Sequence, residues 1–220
     1  MDRAALFDID GLLVDSETLG TKVFRQVLAD NGIHISLEEA ERYFVGRNDI
    51  DSYKNVLLEK ELDFDIDRVL ESHFSIYERE LLNVSELPGA RQIVRKCHRY
   101  GYKIAAVSGS TLYQVRIVLD KLDVRNVFSE IVACDSSIDG KIIRGKPAPD
   151  GYLEAAKRLE ISIENCLVFE DSKSGIIAGK TAGAYVIGVH GTGNQDISQA
   201  DFQVTSLQEI TDHFLDAFKR

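Results

Sequence analysis

Asp8 and Asp10 stand two positions apart just after the apolar run Ala4-Ala5-Leu6-Phe7, and Gly11 follows them at once. On an extended backbone, residues two apart face the same side. Two carboxylates placed so repel each other and suit a hard cation such as Mg2+, bound through oxygen. The pairing fits metal-assisted phosphate chemistry, and it reads equally as a solvated acidic turn at a strand end. Three more apolar runs close on polar groups: 103–107 on Ser108-Gly109-Ser110, 131–134 on Asp135, and 166–169 on Glu170-Asp171. Each has a plain alternative. Ser108 before Gly109 is a good turn or helix-capping group. Glu170-Asp171-Ser172 reads also as a solvated loop with a cap. Lys146, ahead of Pro147 and Pro149, reads also as a surface lysine, although the prolines stiffen its loop.

Combined, these residues cover every role in phosphoryl transfer to a carboxylate. A carboxylate nucleophile needs a cation to meet a dianionic phosphate. A second acid protonates the leaving alkoxide and then activates water. A hydroxyl, backbone N–H groups at a helix start and a lysine hold the transferring oxygens. Further acids complete a metal shell.

For these groups to meet, the runs that carry them must be strands of one sheet, because ligands of an open α/β sheet bind outside the carboxyl ends of the strands. Helical spacing predicts helices over 16–31, closed by Asn31-Gly32, and over 37–45, 49–60 and 67–82, the last with Val69, Leu70, Phe74, Tyr77 and Leu81 on one face. No strand is predicted between 16 and 83, so this stretch reads as a helical insertion. Past Leu87-Pro88-Gly89 the pattern alternates. It gives helix 90–100, strand 103–107, helix 111–122, strand 131–134, helix 149–159, strand 166–169, helix 174–182, strand Tyr185–Val189, a short edge strand Phe202–Val204 and a closing helix 207–218. Such alternation predicts an α/β fold, a mostly parallel, doubly wound sheet with helices on both faces.

The 220 residues suffice for one α/β domain with a small insertion. With 26 basic and 36 acidic residues the formal charge is −10, which disfavours nucleic acid and membrane surfaces as partners. A bound cation and local donors still let a pocket take a small anion. Cys97, Cys134 and Cys166 are widely spaced, with no metal-ligand or disulfide pattern. No basic segment followed by an apolar one opens the chain, and no apolar run approaches membrane-spanning length. A monomeric cytoplasmic protein is expected.

The motifs, in this order and spacing, resemble those of the haloacid dehalogenase superfamily, in its phosphatase and β-phosphoglucomutase-like branch. The similarity spans nearly the whole chain. It rests on Asp8-Ile9-Asp10-Gly11-Leu12-Leu13-Val14-Asp15-Ser16-Glu17, Val107-Ser108-Gly109-Ser110, Gly145-Lys146-Pro147-Ala148-Pro149-Asp150, and Phe169-Glu170-Asp171-Ser172-Lys173-Ser174-Gly175-Ile176 with Ala178-Gly179 and Ala182-Gly183. It implies a Rossmann-like core, 1–15 with 84–220, and an inserted all-helical cap, 16–83, that swings at two linkers. It makes Asp8 the nucleophile that forms an aspartyl-phosphate and Asp10 the general acid/base. It implies Mg2+ held by Asp8, the Asp10 backbone carbonyl and Asp171. Glu170 stands close by, through water, or else only orients Lys146. Ser108, Gly109 and Lys146 would bind the phosphoryl group, and the cap loop around Gly46, Arg47 and Asn48 would select the substrate, unless it is an ordinary exposed turn.

The activity implied is Mg-dependent hydrolysis of a small phosphorylated metabolite, a sugar phosphate or similar. Asp10 weighs against carbon–halogen cleavage, which has no alkoxide to protonate at this place, and against phosphonate hydrolysis. The alternative within the family is a β-phosphoglucomutase-like hexose-phosphate mutase. Mutases of this branch carry a histidine where this chain has Leu19-Gly20, and a cap arginine and lysine that grip a second phosphate. Here Arg47 stands near, but not at, the expected place, and the later cap helix offers His73 and Arg79. A non-catalytic phosphometabolite-binding protein is the alternative of another class, and no catalytic position is missing to support it. A dinucleotide site fails for want of Gly-x-Gly-x-x-Gly after the first strand.

Overall fold

The computed structural model describes residues 2–44, 49–62, 65–134, 137–138, 141–191 and 195–218. Asp135 and the three loop residues Gly46, Arg47 and Asn48 lie outside the described residues. The chain divides into two compact units, Met1–Asp15 with Ser85–Arg220, and Ser16–Val84.

The first unit is built on β1 (Arg3–Phe7), whose last four residues are fully buried. A strand apolar toward both faces belongs in the middle of a helix-covered parallel sheet. The observed order is β3 (Glu130–Ala133), β2 (Tyr102–Ser108), β1, β6 (Cys166–Glu170), β7 (Tyr185–Val189) and β8 (Phe202–Val204). Every ladder in this sheet is parallel. The remaining strands, β4 (Ser137–Ile138) and β5 (Lys141–Ile142), form a small antiparallel hairpin of their own.

Alternation along the strands sorts the core. Ala4 and Leu6 of β1, Ala105 and Val107 of β2 and Val168 of β6 meet Tyr152, Ala155 and Leu159 of α7 (Asp150–Leu159) and Ile176 of α8 (Lys173–Ala182). On the opposite face Phe7 and Phe169 stack with ring centroids 4.5 Å apart. On the same sheet, α5 (Ala90–Arg99) packs along β2 and α6 (Leu112–Lys121) along β3. Cys97, Cys134 and Cys166 are buried thiols of this core, none in a disulfide.

The second unit holds α1 (Ser16–Asp30), α2 (Leu37–Phe44), α3 (Asp49–Glu59) and α4 (Ile66–Glu80). Phe24 of α1 meets Tyr53 of α3 at 4.7 Å and Phe44 of α2 at 5.3 Å. The buried His73 of α4 meets the Tyr53 hydroxyl through Nδ1 at 2.9 Å. Where the chain leaves and re-enters the sheet unit, its two segments run side by side: Asp15 N–H donates to the Ser85 carbonyl at 2.9 Å and Leu87 N–H to the Leu13 carbonyl at 3.0 Å.

The closing helix is shorter than its apolar pattern suggests. A 3-10 turn, Leu207–Glu209, is followed by α9 (Asp212–Ala217). Ile210 is extended between them, and the Thr211 side chain caps α9 by accepting the Phe214 N–H. A capping threonine inside an apolar period starts a new helix rather than continuing an old one. Among the described residues no helix is long and apolar enough to cross a membrane.

Candidate active site

Because β1 lies between β2 and β6, the residues that follow these three strands share one edge. Asp8 comes first. Its N–H donates to the Phe169 carbonyl at 3.1 Å, which continues the β1–β6 ladder one residue further and sets the carboxylate beside the end of β6. Gly11 then turns the chain, with φ +79° and its N–H on the Val14 carbonyl at 3.0 Å. A side-chain-bearing residue in that left-handed conformation costs about 1–2 kcal/mol. Asp10, between them, is held from β2: its Oδ2 accepts from Ser108 Oγ at 3.0 Å and from Ser110 Oγ at 2.8 Å. Ser108 is fully buried, and its own oxygen accepts the Ser110 N–H at 2.9 Å. Around Gly109 there is open space, so a ligand can approach its backbone.

Lys146 reaches the same edge from the segment ahead of α7. Arg144 ties that segment to the helix start through a two-pronged contact with Asp150, at 2.9 and 2.8 Å. The lysine ammonium contacts Asp8 Oδ1 and lies 2.5 Å from Glu170 Oε1. Glu170 is wholly buried, and both of its oxygens are engaged. Oε1 also accepts the Tyr152 hydroxyl at 2.7 Å. Oε2 accepts the Asp171 N–H at 3.1 Å and, from Ser172, both N–H and Oγ–H at 3.0 Å. Ser172 in turn caps α8 by accepting the Gly175 N–H at 3.0 Å, so the turn that carries Asp171 is fixed from both ends.

The electrostatics follow from the count of charges. Among the described residues Lys146 is the cation that contacts this cluster, meeting Asp8 and Glu170, while Asp10 and Asp171 add their charge to that of Asp8. Burial drives the Asp8 carboxyl well above the usual carboxylate range; Lys146 opposes this, and the three other acids add to it. Burial works against charge on Lys146 as well, but Asp8 and Glu170 outweigh it and hold the ammonium well above its ordinary range. Lys146 therefore stays charged at neutral pH, and the cluster calls for more positive charge than one lysine supplies.

A hard divalent cation fits this need. Asp8, Glu170 and Asp171 each offer a carboxylate oxygen, and the three oxygens lie within 4.8 Å of one another. The backbone closes in around Asp171. A Cβ on Gly191, just past β7, would stand 2.7 Å from Asp171 Oδ2 and 3.0 Å from the Gly11 carbonyl oxygen. These are oxygen donors in a tight acidic cradle, the donor set that Mg2+ takes.

The structure thus brings together Asp8, Asp10, Ser108, Gly109, Lys146, Glu170 and Asp171. Sequence reasoning passed over two residues that touch them. Ser110 was legible in principle, since it lies two positions beyond Ser108 in the same motif. Tyr152 gives no local signal: it reads as one more apolar residue on the buried face of α7.

The family is decided by the span of one match: the description haloacid dehalogenase-like hydrolase fits residues 5–189. The chain belongs to that family. Hexitol phosphatase B of Escherichia coli K12 is 30% identical over 227 residues, and the match covers 94% of each chain. The bifunctional riboflavin kinase/FMN phosphatase of Arabidopsis thaliana is 30% identical over 215 residues. That match takes in 96% of this chain and 55% of the relative, so the chain spans about half the length of that protein. Among solved structures, a HAD family hydrolase from Deinococcus radiodurans R1 with bound phosphate and sodium has a TM-score of 0.77 at 29% identity, covering 94% of this chain and 93% of the other. Family and relatives together identify this haloacid dehalogenase-like hydrolase as a phosphoric monoester hydrolase.

Proposed function

We propose that the chain is a Mg2+-dependent phosphatase acting through an aspartyl-phosphate on Asp8. Its proposed substrates carry the phosphate on a terminal CH2–O of a small polyhydroxylated metabolite. The observation that carries the reading is the Asp8 carboxylate at the sheet edge, contacted by Lys146 and clustered with Asp171, while two serine hydroxyls hold Asp10 beside it. The substrate class rests on the relatives: hexitol phosphates and FMN both bear their phosphate at the end of an acyclic polyol chain.

Asp8 supplies a carboxylate oxygen that bonds to phosphorus as the ester P–O bond breaks. Asp10 gives its proton to the departing alkoxide, with Oδ2 fixed by Ser108 and Ser110 so that proton exchange falls to Oδ1. Water then attacks phosphorus and passes a proton to Asp10; the Asp8–phosphorus bond breaks, giving inorganic phosphate and the starting carboxylate. Lys146 and the backbone N–H of Gly109 take the phosphoryl oxygens; Ser108, expected from the family resemblance to join them, is fully buried and donates its one hydroxyl proton to Asp10 instead. Mg2+ would be held by Asp8, Asp171 and the Asp10 backbone carbonyl, with Glu170 reaching it through water, and would offset the charge of a phosphate dianion beside buried carboxylates. Substrate choice is assigned to Gly46, Arg47 and Asn48, on the family resemblance alone. We take the protein to work as a cytoplasmic monomer on the composition and cysteine pattern.

The test is a panel of phosphate esters ranked by kcat/KM with Mg2+ and with a chelator. Terminal polyol phosphates should lead it, and the chelator should silence all. Conversion of β-glucose 1-phosphate to glucose 6-phosphate that depends on a bisphosphate primer would replace the phosphatase by the mutase. No release from any ester would favour a binding protein.

A further inference from the structure

Lys146 and Tyr152 flank the start of α7, and both end on the same atom, Glu170 Oε1, at 2.5 Å and 2.7 Å. The segment 146–152 is therefore closed on itself through one carboxylate oxygen. The Tyr152 ring is wholly buried among Ala105, Val107 and Val168, and the Lys146 ammonium lies 5.4 Å from its centroid, within cation–π range. For packing alone a phenylalanine would serve there. A buried hydroxyl destabilises unless it is hydrogen-bonded, and this one is bonded to Glu170.

We propose that Tyr152 is a positioning residue for the phosphate-binding lysine: its hydroxyl locks the Glu170 carboxylate, and Glu170 aims Lys146 at the phosphoryl position beside Asp8. Oε2 is anchored to the Asp171–Ser172 turn, so Oε1 is the end of Glu170 that can swing. Among the described contacts of Oε1, the tyrosine is the one made from the interior of a packed helix. Without it, Oε1 keeps the lysine as its described partner, and the lysine is left to divide itself between Glu170 and Asp8. The effect on turnover rests on the phosphatase reading; the aim of the lysine does not.

The test is Tyr152→Phe in the full chain, with acetylation of individual lysines by acetic anhydride at fixed pH followed by peptide mass spectrometry. Lys146 should label about tenfold faster than in the wild type, the factor expected for loss of a hydrogen bond to a charged group, while the exposed Lys157 and Lys173 label unchanged. Turnover of a polyol phosphate should fall by a similar factor, with the thermal midpoint little changed. Unchanged Lys146 labelling overturns the proposal, whatever the wild type's activity; a wild type without phosphatase activity but with the predicted labelling leaves the proposal standing and removes only the reading of function. Glu170→Gln supplies a second arm, in which adding Tyr152→Phe should not speed Lys146 labelling further. An additive increase would also contradict the mechanism.

Discussion

The two aspartates of the opening motif share a sheet edge but keep different company, and their partners suit the different roles proposed for them, nucleophile and proton donor. Asp8 lies against Lys146 in a buried acidic cluster, where a bound dianion and cation would draw it onto phosphorus. Asp10 is tethered to two hydroxyls of the β2 end. Asp8→Asn should therefore lower turnover by roughly 10⁴-fold or more while the circular dichroism spectrum stays that of the folded protein; appreciable residual turnover would reject Asp8 as nucleophile. Ser110→Ala removes one tether and should cost about tenfold in kcat, a part of the 10²–10⁴ that general acid–base catalysis contributes, with little change in KM. The acids were legible in the sequence because a two-residue spacing or a place at a strand end marks them, whereas Lys146 read equally as a surface lysine and was singled out by the family resemblance. Ser110 was legible only through its place in the Ser108 motif, and Tyr152 was not legible at all, because its partner lies 18 residues away and it reads as one more apolar residue of α7.

Among the elements, β1 is central because it is apolar toward both faces; its neighbours β2 and β6 deliver the serines and acids around Asp8 and Asp10, and the segment ahead of α7 delivers Lys146. Leu6→Ala, at a fully buried position of β1, should destabilise the protein by about 2–5 kcal/mol, read as a lower urea midpoint. The strands were legible in the alternation past Leu87 because a buried parallel strand is a short apolar run between turn residues. The β4–β5 hairpin was not, since two residues per strand show no period, and the break before α9 hid inside an apolar pattern that continues across Thr211. In the helical unit, burial lowers the pKa of His73 below its ordinary 6.5, while Asp49 pulls it up. The unfolded chain then takes up the proton first as pH falls, so the stability this group contributes is complete above about 6.5 and is lost progressively below it. Thermal midpoints should drop between pH 7.5 and 5.5, and His73→Gln should flatten that dependence. An equal drop in the variant would place the acid sensitivity elsewhere.

For the enzyme as a whole, the cluster of carboxylates around Lys146 predicts that the apo protein is a poor phosphatase and a less stable one. Removal of divalent ions should abolish turnover, and Mg2+ should both restore it and raise the thermal midpoint, by the mass-action stabilisation any ligand of the native state confers; Asp171→Asn should blunt that rise. A formal charge of −10 adds a cost to bringing in a phosphate dianion, so a chain lacking the local donors of this site would repel its substrate. The strand-free stretch 16–83 coincides closely with the second compact unit, Ser16–Val84, whereas the substrate was not legible, because the residues assigned to its selection have no chemistry that names a carbon skeleton. The most direct test of the account is a borohydride quench during turnover of a terminal polyol phosphate, followed by peptide mass spectrometry. Reduction of an acyl phosphate would leave homoserine at position 8, in an amount that tracks the pre-steady-state burst of alcohol product. A burst with Asp8 intact, or with homoserine at another acid, would contradict it.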